Sequence, residues 1–221
     1  MRELTFSGTG GRGGKALRIL CIGAHCDDID IGCGGALLAL LQRYRGSQVT
    51  WVAFSGSEPR RRELEASASR FLRAASARRV IGHAFRDGYF PAQFAQIKSA
   101  FEQLKRLPVP DLIFTHHTQD LHQDHRLLAQ LTWNTFRDHL IFEYEIPKYD
   151  GGLRTPSAYV ALTRAQVERK VRILLECYRT QAVKPWFTAD TFRGLMRLRG
   201  IECAAASGWA EGFHVMKARV L

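Results

Sequence analysis

The chain has 221 residues, 46% of them apolar, which is enough to fill one sizeable core and ordinary for a globular protein. Its apolar stretches are strand-sized and broken by charge, so a membrane span is not expected, and five cysteines without CxxC spacing suggest neither a disulfide framework nor a zinc ribbon. The formal charge of +11 draws attention to Arg60-Arg61-Arg62, Arg70, Arg73, Arg78 and Arg79. These lie along a predicted helix with Glu63 and Glu65 interspersed and no stacking aromatics, so specific nucleic-acid binding is not expected; a basic face would instead concentrate an anionic substrate. Residues 1–15, with a Gly-rich run and no signal-peptide apolar region, read as a flexible tail, residues 16–221 as one domain, and the reduced thiols as cytoplasmic.

In chain order, Leu17–Gly23 reads as a strand, Ala36–Tyr44 as a helix, Val49–Phe54 as a strand and Glu63–Ala75 as a helix. Arg79–Phe85 is the third predicted strand, Ala92–Leu107 a helix, Asp111–Thr115 the fourth strand and His125–His139 a helix. Leu140–Ile146 and Ala158–Leu162 follow as strands, Ala165–Tyr178 and Thr191–Leu198 as helices, and Phe213–Val220 closes as a strand. Such alternation predicts a single-domain, Rossmann-like three-layer α/β/α fold with a mainly parallel sheet.

Ligands of such sheets bind beyond the carboxyl ends of the strands, and the chemically richest segments fall there. Ala24-His25-Cys26-Asp27-Asp28 ends the first predicted strand, and His122-Gln123-Asp124-His125 follows the fourth. A histidine and a carboxylate three positions apart can turn toward one metal ion and leave the adjacent carboxylate to face a water. As alternatives, His25 could be a structural histidine, and Asp27 and Asp28 a helix cap.

These segments resemble the A-H-P-D-D signature and the H-x-D-H motif of the PIG-L/LmbE-like zinc-dependent de-N-acetylases. Arg61-x-Glu63, Asp87-Gly88 and Ala210-Glu211-Gly212-Phe213 sit in the expected order. The resemblance implies an amide hydrolase that removes acetyl from an N-acetylglucosamine-type saccharide, using Zn2+ or another divalent metal to activate water. His25, Asp28 and His125 are then the metal ligands, Asp27 the general base and His122 the acid or electrophilic partner. Asp124 either hydrogen-bonds His122, favouring its charged form, or caps the helix that begins near His125. Cys26 stands in place of the signature proline and is expected to point away from the metal; Ile29 replaces an acid common at that position. One of His116 and His117 is expected to line the pocket and the other to pack inward.

Loops at the same face supply candidates for substrate binding: Arg61 for a hydroxyl or phosphate, Asp87 for a hydroxyl and Tyr144 for an aromatic wall. Asp87-Gly88 is also a common turn, and Glu211 reads as either a pocket wall or an internal ion pair. The alternative functional class is a non-catalytic metal- or glycan-binding module, which would not need Asp27 beside the ligands. The sequence does not specify the oligomeric state.

Overall fold

The computed structural model describes residues 5–6 and 16–219. Within them, six α-helices and a seven-stranded sheet form the expected α/β architecture. The strands are β1 (Arg18–Gly23), β2 (Gln48–Ala53), β3 (Ala77–Gly82), β4 (Leu112–His116), β5 (Ile141–Tyr144), β6 (Ala158–Ala161) and β7 (Ala210–His214). Their order across the sheet is β3-β2-β1-β4-β5-β7-β6. The first five are parallel, and β7 runs antiparallel to both of its neighbours.

Both faces of the sheet are covered. The helices are α1 (Asp28–Arg43), α2 (Glu58–Phe71), α3 (Phe94–Leu104), α4 (Gln123–Thr135), α5 (Arg164–Cys177) and α6 (Ala189–Glu202). Successive strand residues face opposite sides, so Ile19 and Cys21 join the core containing Leu37, Trp51, Phe71 and Leu174, while Leu20 and Ile22 join that containing Phe54, Phe101 and Leu128. Burial on both faces is why β1 reads as a continuous apolar run rather than an alternating one.

The chain moves outward from β1 through β2 to β3, then crosses back to β4 on the other side of β1. That reversal opens a crevice between the carboxyl ends of β1 and β4, where both motifs emerge.

Several boundaries differ from expectation. Helix α1 begins at Asp28 rather than Ala36, with Gly32, Gly34 and Gly35 inside it as close-packing positions. A Cβ at Gly32 would stand 2.2 Å from the Tyr144 ring, and one at Gly34 2.7 Å from Phe71. The edge strand β3 starts earlier than expected and ends at Gly82, while β7 spans Ala210–His214 instead of Phe213–Val220. Its pattern is masked because Glu211 is a buried charge and Gly212 lies 2.5 Å, at its notional Cβ, from Pro156. Helix α6 extends to both sides of Thr191–Leu198. Most of the expected tail, 1–15, lies outside the described residues; Phe6, which is described, donates its N–H to the Tyr44 hydroxyl and packs edge-on against that ring.

Candidate metal centre

His25 lies in the short connection from β1 to α1, Asp28 in the first turn of α1, and His125 in the first turn of α4. Their donor atoms converge. His25 Nδ1 is 3.1 Å from His125 Nε2 and 3.3 Å from Asp28 Oδ2, and His125 Nε2 is 3.6 Å from Asp28 Oδ1. Ligands about 2.0–2.1 Å from a tetrahedral ion stand about 3.3 Å apart, so these gaps fit one divalent cation. Among the described residues, three overlapping groups have potential donors mutually within 4.8 Å: His25–His122–His125, Asp28–His116–His125 and His25–Asp87–Asp124.

The surrounding hydrogen bonds narrow what each atom can do. His25 Nε2 meets Asp87 Oδ1 at 2.9 Å, which leaves Nδ1 for the cluster. His125 Nδ1 meets Asp120 Oδ2 at 3.0 Å, which aims its Nε2 inward. Carboxylates behind ligating imidazoles fix tautomer and ring orientation in this way. Asp120 also accepts the His122 N–H with Oδ1 and the Lys148 ammonium with Oδ2, at 2.8 and 2.7 Å. His116, fully buried, stacks on His125 with centroids 3.9 Å apart, and its Nε2 accepts the Ala24 N–H.

Charge is concentrated here with little solvent. Although burial opposes its charge, the His125, His25 and His116 rings hold Asp28 well below the usual carboxylate range. His125 is pushed down to about 3 by burial and by His116. His25 loses basicity to burial but gains more from Asp28, Asp124 and Asp87, and ends well above an ordinary histidine.

Asp27 occupies the N-cap position of α1 without capping it. Its Oδ1 instead accepts Arg60 Nη2 at 2.5 Å. Burial raises the Asp27 pKa and Arg60 opposes the rise. His122 is the N-cap of α4, its Nδ1 accepting the Asp124 N–H at 3.2 Å. That bond puts the proton of the neutral ring on Nε2. Burial, with His25 nearby, lowers the His122 pKa.

Other candidates take different places. The Asp124 carboxylate neither hydrogen-bonds the His122 ring nor caps α4: its two oxygens accept the N–H groups of Gly88 and Phe90, at 2.6 and 3.1 Å, because the 87–90 loop crosses directly over it. It thereby sets Asp87 against His25, so Asp87 orients a candidate ligand through Oδ1 while its side chain stays 68% exposed. Tyr144 is fully buried and donates to Ile22 O at 2.7 Å, so it cannot form a pocket wall. Arg61 pairs with Glu58 at 2.7 Å on the outer side of α2, and its neighbour Arg60 reaches the site instead. Consecutive helical residues point about 100° apart, so a shift of one position decides which arginine enters.

Cys26 is buried with Sγ 3.3 Å from Ser55 O, away from the cluster, and burial pushes its thiol up to about 12. Of the two consecutive histidines, His116 packs inward and half-buried His117 faces His214, their centroids 4.0 Å apart. Glu211 is an internal ion partner, 2.5 Å from Lys170 Nζ. Arg60, Asp120, His116 and Lys148 thus surround the centre without having been assigned to it from sequence. Asp120 lies two positions before the second motif; Lys148 carried no local signal.

The chain is 32% identical over 143 residues to the uncharacterized deacetylase YaiS of Escherichia coli (strain K12), covering 60% of this chain and 76% of the relative. The N,N'-diacetylchitobiose deacetylase of Pyrococcus horikoshii superposes with a TM-score of 0.68 at 20% identity, over 91% of this chain and 84% of that one. The 4-carboxy-2-hydroxymuconate hydratase of Pseudomonas putida KT2440 superposes with a TM-score of 0.72 at 15% identity, over 93% and 98% of the two chains. A deacetylase and a hydratase on one backbone show that the fold alone does not choose the reaction. Residues 20–136, which contain both motifs, match the family described as PIG-L, GlcNAc-PI de-N-acetylase, and the chain belongs to that family.

Proposed function

We propose that this protein is a metal-dependent deacetylase that hydrolyses the N-acetyl group of an amino sugar, with His25, Asp28 and His125 as metal ligands. The reading is supported by the 3.1 Å between His25 Nδ1 and His125 Nε2, with Asp28 presenting Oδ2 to the first at 3.3 Å and Oδ1 to the second at 3.6 Å, near the about 3.3 Å between ligands of one tetrahedral ion. Of the three groups of converging donors, His25–His122–His125 shares both histidines with this set, and the other two are less apt. His116 Nε2 is occupied by the Ala24 N–H, and both Asp124 oxygens by Gly88 and Phe90. A histidine and carboxylate donor set suits Zn2+, with other divalent first-row ions able to replace it.

A divalent ion held there supplies Lewis acidity, polarising the acetyl carbonyl and making a water acidic near neutral pH. The chain's own groups do the rest. Asp27, next to the ligands but in neither a capping nor a ligating role, accepts the proton of the attacking water and can return it to the departing amine. His122, with its neutral ring protonated on Nε2, donates a hydrogen bond to the oxygen that gains charge as the tetrahedral adduct forms. This hydrogen-bond role replaces that of a resident imidazolium, which the lowered pKa of His122 disfavours. Asp120 and Asp87 hold the two ligand rings in orientation.

A binding module without catalysis would have no use for a carboxylate in the position of Asp27. No helix among the described residues is long and apolar enough to cross a membrane, and the proposed setting is the cytoplasm. The test is acetate release from a panel of N-acetylated saccharides, sugar nucleotides and glycolipids. Release that stops on chelation and returns with Zn2+ or another divalent ion is expected. No acetate from metal-loaded protein, or release untouched by complete chelation, would overturn the proposal.

A further inference from the structure

We infer that Arg60 is a positioning residue that draws the Asp27 carboxylate out of a helix-capping geometry and presents it as the base. The inference rests on the deacetylase reading above, and it adds a residue and a conformational competition to it. An aspartate at the N-cap ordinarily turns its side chain onto the free N–H groups of the first helical turn. Asp27 stands at that position of α1 with αR backbone angles, φ −101° and ψ −8°, and makes no such bond. Its Oδ1 is held by Arg60 Nη2 at 2.5 Å, from the first turn of α2. With Oδ1 occupied, proton transfer falls to the other oxygen.

Two observations set Arg60 apart from the arginines beside it. Its side chain is 20% exposed and meets a carboxylate that is 7% exposed, whereas Arg61 and Arg62 both turn to Glu58 on the outside of the helix. Its Nε is buried without a hydrogen-bond partner. A guanidinium kept for packing or stability alone would have its donors satisfied, since a buried unpaired donor is unfavourable. This one keeps its contact with Asp27 while Nε has no partner. Asp27 is therefore engaged by Arg60 rather than by the α1 amides, with its second oxygen left for the proton of the attacking water.

The experiment uses metal-loaded wild type, Arg60→Ala, Arg60→Lys, Asp27→Asn and the double variant Arg60→Ala/Asp27→Asn, on whichever acetylated saccharide the wild type hydrolyses. Arg60→Ala is expected to lose about tenfold or more in kcat, with KM and metal content nearly unchanged, because the base is misplaced rather than the substrate or ion lost. Its thermal midpoint should fall, since a buried carboxylate loses its partner, so the rates are compared below that midpoint on folded protein. Millimolar guanidinium, far below denaturing concentrations, should restore part of the rate. In the Asp27→Asn background, Arg60→Ala should have little further effect on kcat. Should Arg60→Ala fail to fold, the same kcat and KM comparison on Arg60→Lys decides, with kcat falling at constant KM. An unchanged kcat, a rise in KM alone, or equal losses with and without Asp27 would overturn the role. A wild type that releases no acetate would overturn the deacetylase reading, and this role with it.

Discussion

Two regions of the molecule bury several charges each, and they resolve them differently. At the antiparallel edge, two buried acids each meet a buried base. Lys170 Nζ is 2.5 Å from Glu211, whose two oxygens also accept the N–H groups of Gly35 and Ala36 in α1. Arg199 makes a two-point contact with Glu145 at 2.6 and 2.9 Å. In the crevice between β1 and β4, by contrast, three imidazoles press on Asp28, and two rings bring ring nitrogens within 3.1 Å of each other. The first arrangement is complete as it stands. The second gathers donors around a point that a cation would fill. Buried charge therefore does not mark a functional site by itself; convergence of donors on one point does.

The sharpest way to break this contrast is at the adjacent acids. Asp28→Ala should abolish both metal retention and acetate release. Asp27→Asn should retain the metal while losing turnover by about 100-fold or more, because an amide cannot accept the proton. Metal analysis beside the rate measurement checks both, and the reverse pattern would exchange the two roles.

At the other region, Lys170→Met should destabilise the fold by about 3–5 kcal/mol, since it leaves Glu211 charged and buried. Chemical denaturation measures that loss. The folded variant should keep its metal; loss of the metal at unchanged stability would show that the two regions are coupled.

A smaller effect, about 10- to 100-fold in kcat, is expected for His122→Ala, with metal content preserved. Its pH profile carries the sign. Burial and the neighbouring His25 lower the His122 pKa, so the ring is already neutral at pH 7 and does not lose a proton as pH rises above it. Wild type and His122→Ala should therefore share the same alkaline limb and differ only in height. An alkaline limb that disappears in the variant would restore an imidazolium role.

Much of the site was legible because its chemistry is written locally. His25, Asp27 and Asp28 fall within four consecutive positions at a strand end, and His122 and His125 flank Asp124 at another, so spacing and strand order together indicated the crevice. What failed was the reading of single side chains outside those motifs. Arg61 and Arg60 differ by one position in an arginine run, and no local pattern tells which of them faces inward. Tyr144 ends a strand at the correct edge of the sheet, yet its ring covers Gly32 and its hydroxyl is spent on Ile22 O.

The sequence by itself determined the order of strands and helices, the mainly parallel sheet and the residues at the carboxyl ends of its central strands, because hydrophobic periodicity and motif spacing are properties of neighbouring positions. Tertiary structure alone decided the partners. Asp120 meets Lys148 across 28 positions, Asp27 meets Arg60 across 33, and Asp124 meets Gly88 across 36. It also decided that the glycines after Asp28 belong inside α1, since the rings of Tyr144 and Phe71 leave no room there for a Cβ. Hydrogen bonds and close packing between distant segments depend on where the folded backbone carries each side chain, and no pattern of adjacent residues encodes that position.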